Sequence, residues 1–264
     1  MILNLNIAIL QLDLAWKDKK SNFIAIENLL DNHKLQKDLV VLPEMFGTGF
    51  VTEPKEVAEK MAGETSQFLQ EQAQINQCNI MSSAVIEENN NYYNRILWTE
   101  RSGEIKCYDK RHLFTFGGEH KLFTGGNKRE IFNINGWNIC PLVCYDLRFP
   151  VWAKNTYQNG SYAYDVLIYI ANWPSVRSHA FRQLLIARAI ENQCYVIGVN
   201  RVGVDGNGLY YQGNSTVIDF NGNHILEMKP DEVGLGYTIL DYQALEKVRK
   251  NFPVGTDWDS FEIK

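Results

Sequence analysis

Three side chains of the kinds that acyl transfer requires each stand at the end of an apolar run. Cys144 closes the first part of LVCYDLRFP (142–150), with Trp152 just behind. The pattern reads as a strand handing over to a helix, which sets the sulfur at a strand's carboxyl end beside unpaired backbone N–H groups. Near such donors and the positive end of a helix dipole a thiol is favoured as thiolate, and an oxyanion formed beside it meets the same donors. Taken alone, Cys144 reads equally as a small buried hydrophobe. Its company decides otherwise. Glu44 follows DLVVLP (38–43), and Lys110 lies just beyond the strand-like run Ile105 to Tyr108. Strand carboxyl ends are where open α/β sheets keep their sites. If these strands neighbour one another in parallel, an acid, an ammonium and a thiol share one crevice. The thiolate can then attack an acyl carbon, the carboxylate can take and return the proton, and the ammonium with a backbone N–H can hold the oxyanion. Each also has a plain alternative: Glu44 as a solvated loop carboxylate, and Lys110 in DKRH as a surface charge.

The elements that position these residues alternate along the chain. Asn4 to Leu14 reads as a half-buried strand, Ser21 as the cap of a helix through Leu30, and Asp38 to Leu42 as a short apolar strand. A helix starting at Thr65 or Ser66 precedes three strand-like runs, Asn79 to Ile86, Tyr92 to Trp98 and Ile105 to Tyr108, which suggest an antiparallel meander appended to a βαβ unit. A long loop to Gly126, rich in glycine and phenylalanine, carries Glu119 and His120. A loop of this length is usually functional or disordered, and its aromatics argue that it packs. Ile131 to Ile134 and Trp137 to Val143 form a hairpin about Asn135-Gly136, with a break expected at Pro141 because a central strand cannot spare its N–H. Then come a buried strand at Val166 to Ile170, a helix from Ser178 to Asn192, a strand at Tyr195 to Asn200 and a loop, VGVDGNG. A hairpin about Asn221-Gly222, a strand at Leu235 to Leu240 and a helix at Tyr242 to Asn251 complete the run. The tail 252–264 shows no periodicity and is expected either to fray or to dock on another subunit.

Composition limits the function. At 264 residues and 45% hydrophobic, the chain can bury one large α/β core, and residues 1–264 are expected to form a single domain. A net charge of -5 with scattered Lys and Arg argues against a nucleic-acid or anionic-membrane surface and for small-molecule chemistry. The longest apolar runs, such as DVLIYIA (165–171), are far shorter than the roughly 20 residues a membrane span needs. The N-terminal stretch has no basic n-region, so a cytoplasmic location is expected. Five cysteines without framework spacing fit a reducing compartment, and no histidine accompanies them closely enough to suggest zinc.

The three segments LPEMFGTGF (42–50), YDKRHLF (108–114) and LVCYDLRFP (142–150) resemble the signature segments of the nitrilase superfamily of carbon–nitrogen hydrolases. The likeness continues through ANWP (171–174), LLIARAIENQ (184–193), NRVGVDGNG (200–208) and KNFPVGTDWDSF (250–261), a combination similar to the omega-amidase branch. That resemblance implies Glu44 as general base, Lys110 as oxyanion-stabilising lysine, Cys144 as nucleophile, Glu119 as an auxiliary glutamate and the backbone N–H of Tyr145 as a second oxyanion donor. It also implies a four-layer αββα sandwich, a homodimer, no metal or organic cofactor, and a small amide substrate such as 2-oxoglutaramate or 2-oxosuccinamate. An N-carbamoyl amino acid amidohydrolase or a nitrilase would keep the same residues, and a non-catalytic ligand-binding or scaffold protein could keep the fold. Among the remaining residues, Trp173 to Arg177 (WPSVR) is expected to line the pocket mouth, with Arg177 either anchoring a substrate carboxylate or solvated in a loop. Arg148 is expected to pair with a buried carboxylate, Asp146 to cap the helix after the turn, and His112, His120 and His179 to be structural or exposed.

Overall fold

The computed structural model describes residues 2–263. The first half runs β1 (Leu5–Gln11), α1 (Lys19–Asn32), β2 (Leu39–Val41), α2 (Glu64–Asn76), β3 (Asn79–Glu88), β4 (Asn91–Thr99) and β5 (Ile105–Asp109). β1, β2 and β3 pair in parallel, and β3, β4 and β5 form the antiparallel meander read from the sequence. The second half runs β6 (Phe132–Ile134), β7 (Trp137–Val143), α3 (Pro150–Ala153), the small hairpin β8 (Tyr157–Gln158) and β9 (Ser161–Tyr162), β10 (Val166–Ala171), α4 (Ser178–Asn192) and β11 (Tyr195–Asn200). It continues with β12 (Val202–Val204), β13 (Tyr210–Gln212), β14 (Thr216–Ile218), β15 (His224–Glu227), β16 (Gly234–Leu240) and α5 (Tyr242–Asn251). One sheet has the order β16-β1-β2-β3-β4-β5 and the other β15-β14-β11-β10-β7-β6, so β16 crosses back from the second half to pair antiparallel with β1.

Side-chain alternation sorts these strands into layers. Leu5, Ile7 and Ile9 of β1, Val41 of β2 and Trp98 of β4 join residues of the second sheet in one core, while Ala8, Leu10, Val40 and Leu97 face α1 and α2 in another. There Phe23 of α1 stacks on Phe68 of α2 with ring centroids 4.1 Å apart. β10 (VLIYIA) is buried throughout, as a central strand covered on both faces must be. Its neighbour β11 carries Gly198 against α4, where a Cβ would stand 2.4 Å from Leu185 Cδ1, so only glycine lets the helix lie this close. The layers therefore run α, β, β, α.

Several local expectations are corrected. α1 is capped by Asp18, whose side chain accepts the Ser21 N–H at 3.1 Å, and not by Ser21 itself. β7 passes through Pro141 without a break. β6 pairs with β7 only as far as Ile139, so at Pro141 the ladder runs to β10 alone and one side of the strand needs no donor. Cys144 opens a 3-10 segment, Cys144–Arg148, and the helix behind it is only four residues long, so the expected helix dipole is not available to the sulfur. The stretch after Asn200 is a hairpin, β12–β13, because Asp205 accepts the Asn207 and Leu209 N–H groups and organises its turn. Within the tail, Trp258 packs edge-on against Tyr162 of the same chain, with the Lys154 ammonium 3.7 Å from its ring centre.

Candidate active site

The strand ends of both sheets converge on one buried cluster. Glu44 lies three residues past β2 and is fully buried. The turn carrying it is tied to β3, since Ser82 donates to the Pro43 carbonyl at 2.5 Å and the Met45 N–H donates to Ser83 at 2.9 Å. Lys110 follows β5 directly, and Glu119 sits in a short 3-10 turn of the long loop, its carboxylate held by the Phe114 N–H at 2.6 Å. Lys110 Nζ donates to Glu44 Oε1 at 3.1 Å and lies 3.0 Å from both oxygens of Glu119. One ammonium thus holds two buried carboxylates. Burial alone would favour its neutral amine, but Glu119 and Glu44 outweigh burial and hold it above the ordinary lysine range. Burial also pushes the Glu119 carboxyl up, against the pull of Lys110, and the Glu44 charge adds to the rise.

Cys144 faces the same cluster from the second sheet. Its φ of +44 is unusual for a residue with a side chain, and in this tight turn the sulfur sits 3.9 Å from the Asn172 carbonyl. Burial raises the thiol well above its ordinary range, Glu44 raises it further, and Lys110 offsets only part. These influences favour the neutral thiol over the expected thiolate at rest, since no helix end stabilises the charge and the nearest fixed charges are mostly negative. The proton must therefore leave as the sulfur attacks.

Lys110 and Cys144 open onto a cavity of about 680 Å³. Tyr145, Trp173 and Arg177 line it, and so does Arg148. Tyr145 places its ring edge-on to Phe114, with centroids 5.1 Å apart. Trp173 is fixed at both ends: its backbone N–H donates to Asn200 Oδ1 and its indole N–H to the Arg177 carbonyl, each at 2.8 Å. The Arg148 guanidinium lies 5.0 Å from the Trp173 ring centre and that of Arg177 lies 5.4 Å from Phe114. Arg148 has no ion pair with a carboxylate of the described residues, which corrects the expected buried pairing. Its guanidinium is exposed at the cavity.

Asp146 is a cross-link more than a cap. Its two oxygens accept from the Val143 N–H, the Tyr108 hydroxyl, the His112 N–H and the His112 ring, tying the segment around Lys110 to the turn of Cys144. His112 also stacks on Phe149 at 3.7 Å, and His120 and His179 are exposed.

Sequence reasoning missed two asparagines. Asn94 of β4 donates to Glu44 Oε1 at 2.7 Å. Asn172, just past β10, donates its backbone N–H to Glu44 Oε2 at 2.8 Å and its side-chain amide to the Glu44 carbonyl at 2.6 Å. The available signal was one of pattern, since each is a polar residue in or beside a run of buried apolar ones. Among the described residues, no group of three or more His, Cys, Asp or Glu side chains could hold a metal, and no helix is long and apolar enough to cross a membrane.

The whole of this arrangement falls within a match to the carbon–nitrogen hydrolase family model, which covers residues 6–250. Omega-amidase YafV of Escherichia coli K12 is 41% identical over 262 residues, covering 98% of each chain. A 2-oxoglutaramate amidase of Bacillus subtilis is 31% identical over 254 residues, covering 95% of this chain and 96% of that one. A carbon–nitrogen hydrolase superfamily protein of Xanthomonas campestris, solved with an arsenic adduct in its active site, superposes with a TM-score of 0.97 at 41% identity, covering 99% of this chain and 100% of that one. The chain belongs to the carbon–nitrogen hydrolase family, the nitrilase superfamily, in its omega-amidase branch.

Proposed function

We propose that this protein is an omega-amidase that hydrolyses the terminal amide of short 2-oxo acid monoamides to a dicarboxylate and ammonia. The observation that carries the reading is the Lys110 ammonium, bonded to both Glu44 and Glu119 and opening with Cys144 onto one cavity. In the proposed mechanism the Cys144 proton passes to Glu44 as the sulfur bonds to the amide carbon and the carbonyl electron pair moves onto oxygen. Lys110 and the Tyr145 N–H hold that oxyanion, while Glu119 keeps the lysine in place. Collapse expels ammonia with the proton from Glu44 and leaves a thioester. Glu44 then takes a proton from water, which adds to the thioester, and the second collapse releases the carboxylate and restores the thiol.

Arg148 and Arg177 support the substrate class, since two guanidinium groups on the cavity wall suit the distal carboxylate of such an amide. The Trp173 ring faces the Arg148 guanidinium, and its indole N–H holds the Arg177 backbone carbonyl. An N-carbamoyl amino acid amidohydrolase or a nitrilase would use the same four catalytic side chains and differ only in this wall. The test is ammonia release from 2-oxoglutaramate and 2-oxosuccinamate against N-carbamoyl amino acids and simple nitriles. Preference for the 2-oxo amides is expected. Faster turnover of a carbamoyl compound or a nitrile would overturn the substrate assignment, and turnover by Cys144→Ala near the parental rate would overturn the mechanism. A scaffold protein would release no ammonia from any of them.

We also propose a cytoplasmic protein whose residues 1–264 act as one domain and pair into a homodimer. The exposed apolar side chains Phe252, Phe261 and Ile263 in and beside the tail favour its lying at the subunit contact. Light scattering of a chain ended at Asn251 would then report a monomer, and an unchanged dimer would place the contact elsewhere.

A further inference from the structure

Glu44 receives more hydrogen bonds than a proton acceptor requires, and their distribution over its two oxygens is uneven. Oε1 accepts from Lys110 Nζ at 3.1 Å and from Asn94 Nδ2 at 2.7 Å. Oε2 accepts the Asn172 backbone N–H at 2.8 Å, with the Asn172 side-chain amide at 3.5 Å, the limit of a bond. A carboxylate oxygen offers two lone pairs. Oε1 is therefore filled, and Oε2 keeps one lone pair for a proton. We propose that Asn94 is a positioning residue which saturates Oε1 and so makes Oε2 the atom through which Glu44 takes and returns protons. The proposal rests on the reading of Glu44 as the general base.

A second observation stands independently of that count. Asn94 is buried and its Oδ1 has no hydrogen-bond partner, and the same holds for Asn172 Oδ1. Buried amides are ordinarily satisfied at both ends, and an exception calls for a reason. Here the reason is the pair of carboxylates: turning the Asn94 amide over would set its oxygen against Glu44 Oε1 and against Glu119 Oε1, which lies 3.4 Å from Nδ2. The donor end is thus fixed on the acids and the acceptor end is left bare. For packing alone, an apolar side chain would fill the place without an orphaned carbonyl.

The residue also sets the spacing of the site. Its backbone carbonyl accepts the Lys110 N–H at 3.0 Å, so one residue of β4 holds both the base and the ammonium. Asn172 meets Glu44 from the end of β10, and the carboxylate is clamped between the two sheets. Asn94 does with a neutral group what a second cation would do, bridging both acids without neutralising either.

The test compares the parent with Asn94→Leu, which keeps the branched outline and number of side-chain heavy atoms and loses the donor, on the same amide. Rates are normalised to the fraction of chains that unfold cooperatively in urea, so that misfolded protein is discounted. Loss of the fixed proton acceptor is expected to lower kcat about 100-fold while KM stays close to the parental value. The solvent deuterium isotope effect on kcat is expected to rise, because proton transfer becomes limiting. A residue that only packs would lower the folded fraction and the melting temperature but leave kcat per folded chain and the isotope effect unchanged, and that result would overturn the proposal. Asn94→Ser, whose smaller side chain fits the site and falls short of Glu44, gives the same readouts should the leucine variant fail to fold. A parent that hydrolyses no amide would overturn the amidase reading and this proposal with it. An active parent matched by both variants would overturn this proposal alone.

Discussion

Arg249 and Lys110 are both buried cations held by carboxylates, and the company they keep is different. Arg249 on α5 pairs with one buried carboxylate, Asp165 at 2.6 Å, has the exposed Glu246 at 3.7 Å, and donates to the backbone carbonyls of Gln193 and Tyr164 at 3.0 and 2.8 Å. The second oxygen of Asp165 accepts the Asn138 N–H at 2.9 Å. Lys110 instead serves two acids, faces a cavity, and has beside it a raised thiol and two orphaned amide oxygens. The first group closes on itself and fastens α5 to the second sheet. The second leaves acceptors unspent and an excess of negative charge, which a fold tolerates where chemistry needs it.

Removing each cation in turn sets the two clusters against each other. Lys110→Met leaves Glu44 and Glu119 buried without a counter-charge, and a loss of about 3–5 kcal/mol in stability is expected together with a fall of about 10²- to 10³-fold in kcat. Arg249→Met strands Asp165 and should cost a similar stability, roughly 3–5 kcal/mol, with kcat per folded chain unchanged. Urea unfolding and ammonia release on the same samples decide. Equal losses of activity in both variants would mean that the two clusters do not divide the work as described.

A smaller effect is expected at the cavity wall. Arg177→Ala and Arg148→Ala are each expected to raise KM for a carboxylate-bearing amide by about 10- to 100-fold, as loss of a charged hydrogen bond of roughly 1.5–3 kcal/mol implies. A neutral amide of the same length should show no such change. If both substrates respond alike, the arginines shape the wall without reading charge.

The smallest effect concerns the thiols away from the site. Burial pushes Cys78 and Cys107 up to about 11 and Cys140 to about 12, from an ordinary value of 9.0. In that window the native chain keeps protons that the unfolded chain has released. Their contribution to stability is therefore whole below about pH 9 and is lost as pH rises through 11 and 12. The urea midpoint should fall over this range, and more gently in Cys78→Ala, measured relative to its own midpoint at neutral pH. A slope unchanged by the substitution would assign the fall to other groups.

Much of this was legible in the sequence, for identifiable reasons. The strands before Glu44, Lys110 and Cys144 are short apolar runs with polar ends, so their carboxyl termini could be placed, and α4 and β11 fall on the residues their patterns mark. The stretch after Cys144 was not legible, because Pro150 and Trp152 are as consistent with a long helix as with the 3-10 turn and short helix that form. Asn94 escaped for another reason. In YYNRILW its side chain takes the same face as Ile96 and Trp98, and only the second sheet, distant in sequence, turns that face into an interior. Arg148 was expected beside a carboxylate because an arginine near a core usually finds one, whereas here an indole face takes that place.

In the proposed mechanism the Cys144 sulfur carries the acyl group between two steps. Mixing the protein with a small excess of 2-oxoglutaramate, quenching in acid and weighing the intact chain and its peptides tests this. The expected result is a mass gain of one acyl group on the peptide bearing Cys144, with ammonia already released in equal amount. Ammonia release with that peptide unmodified at every quench time, or an adduct on a different side chain, would contradict it.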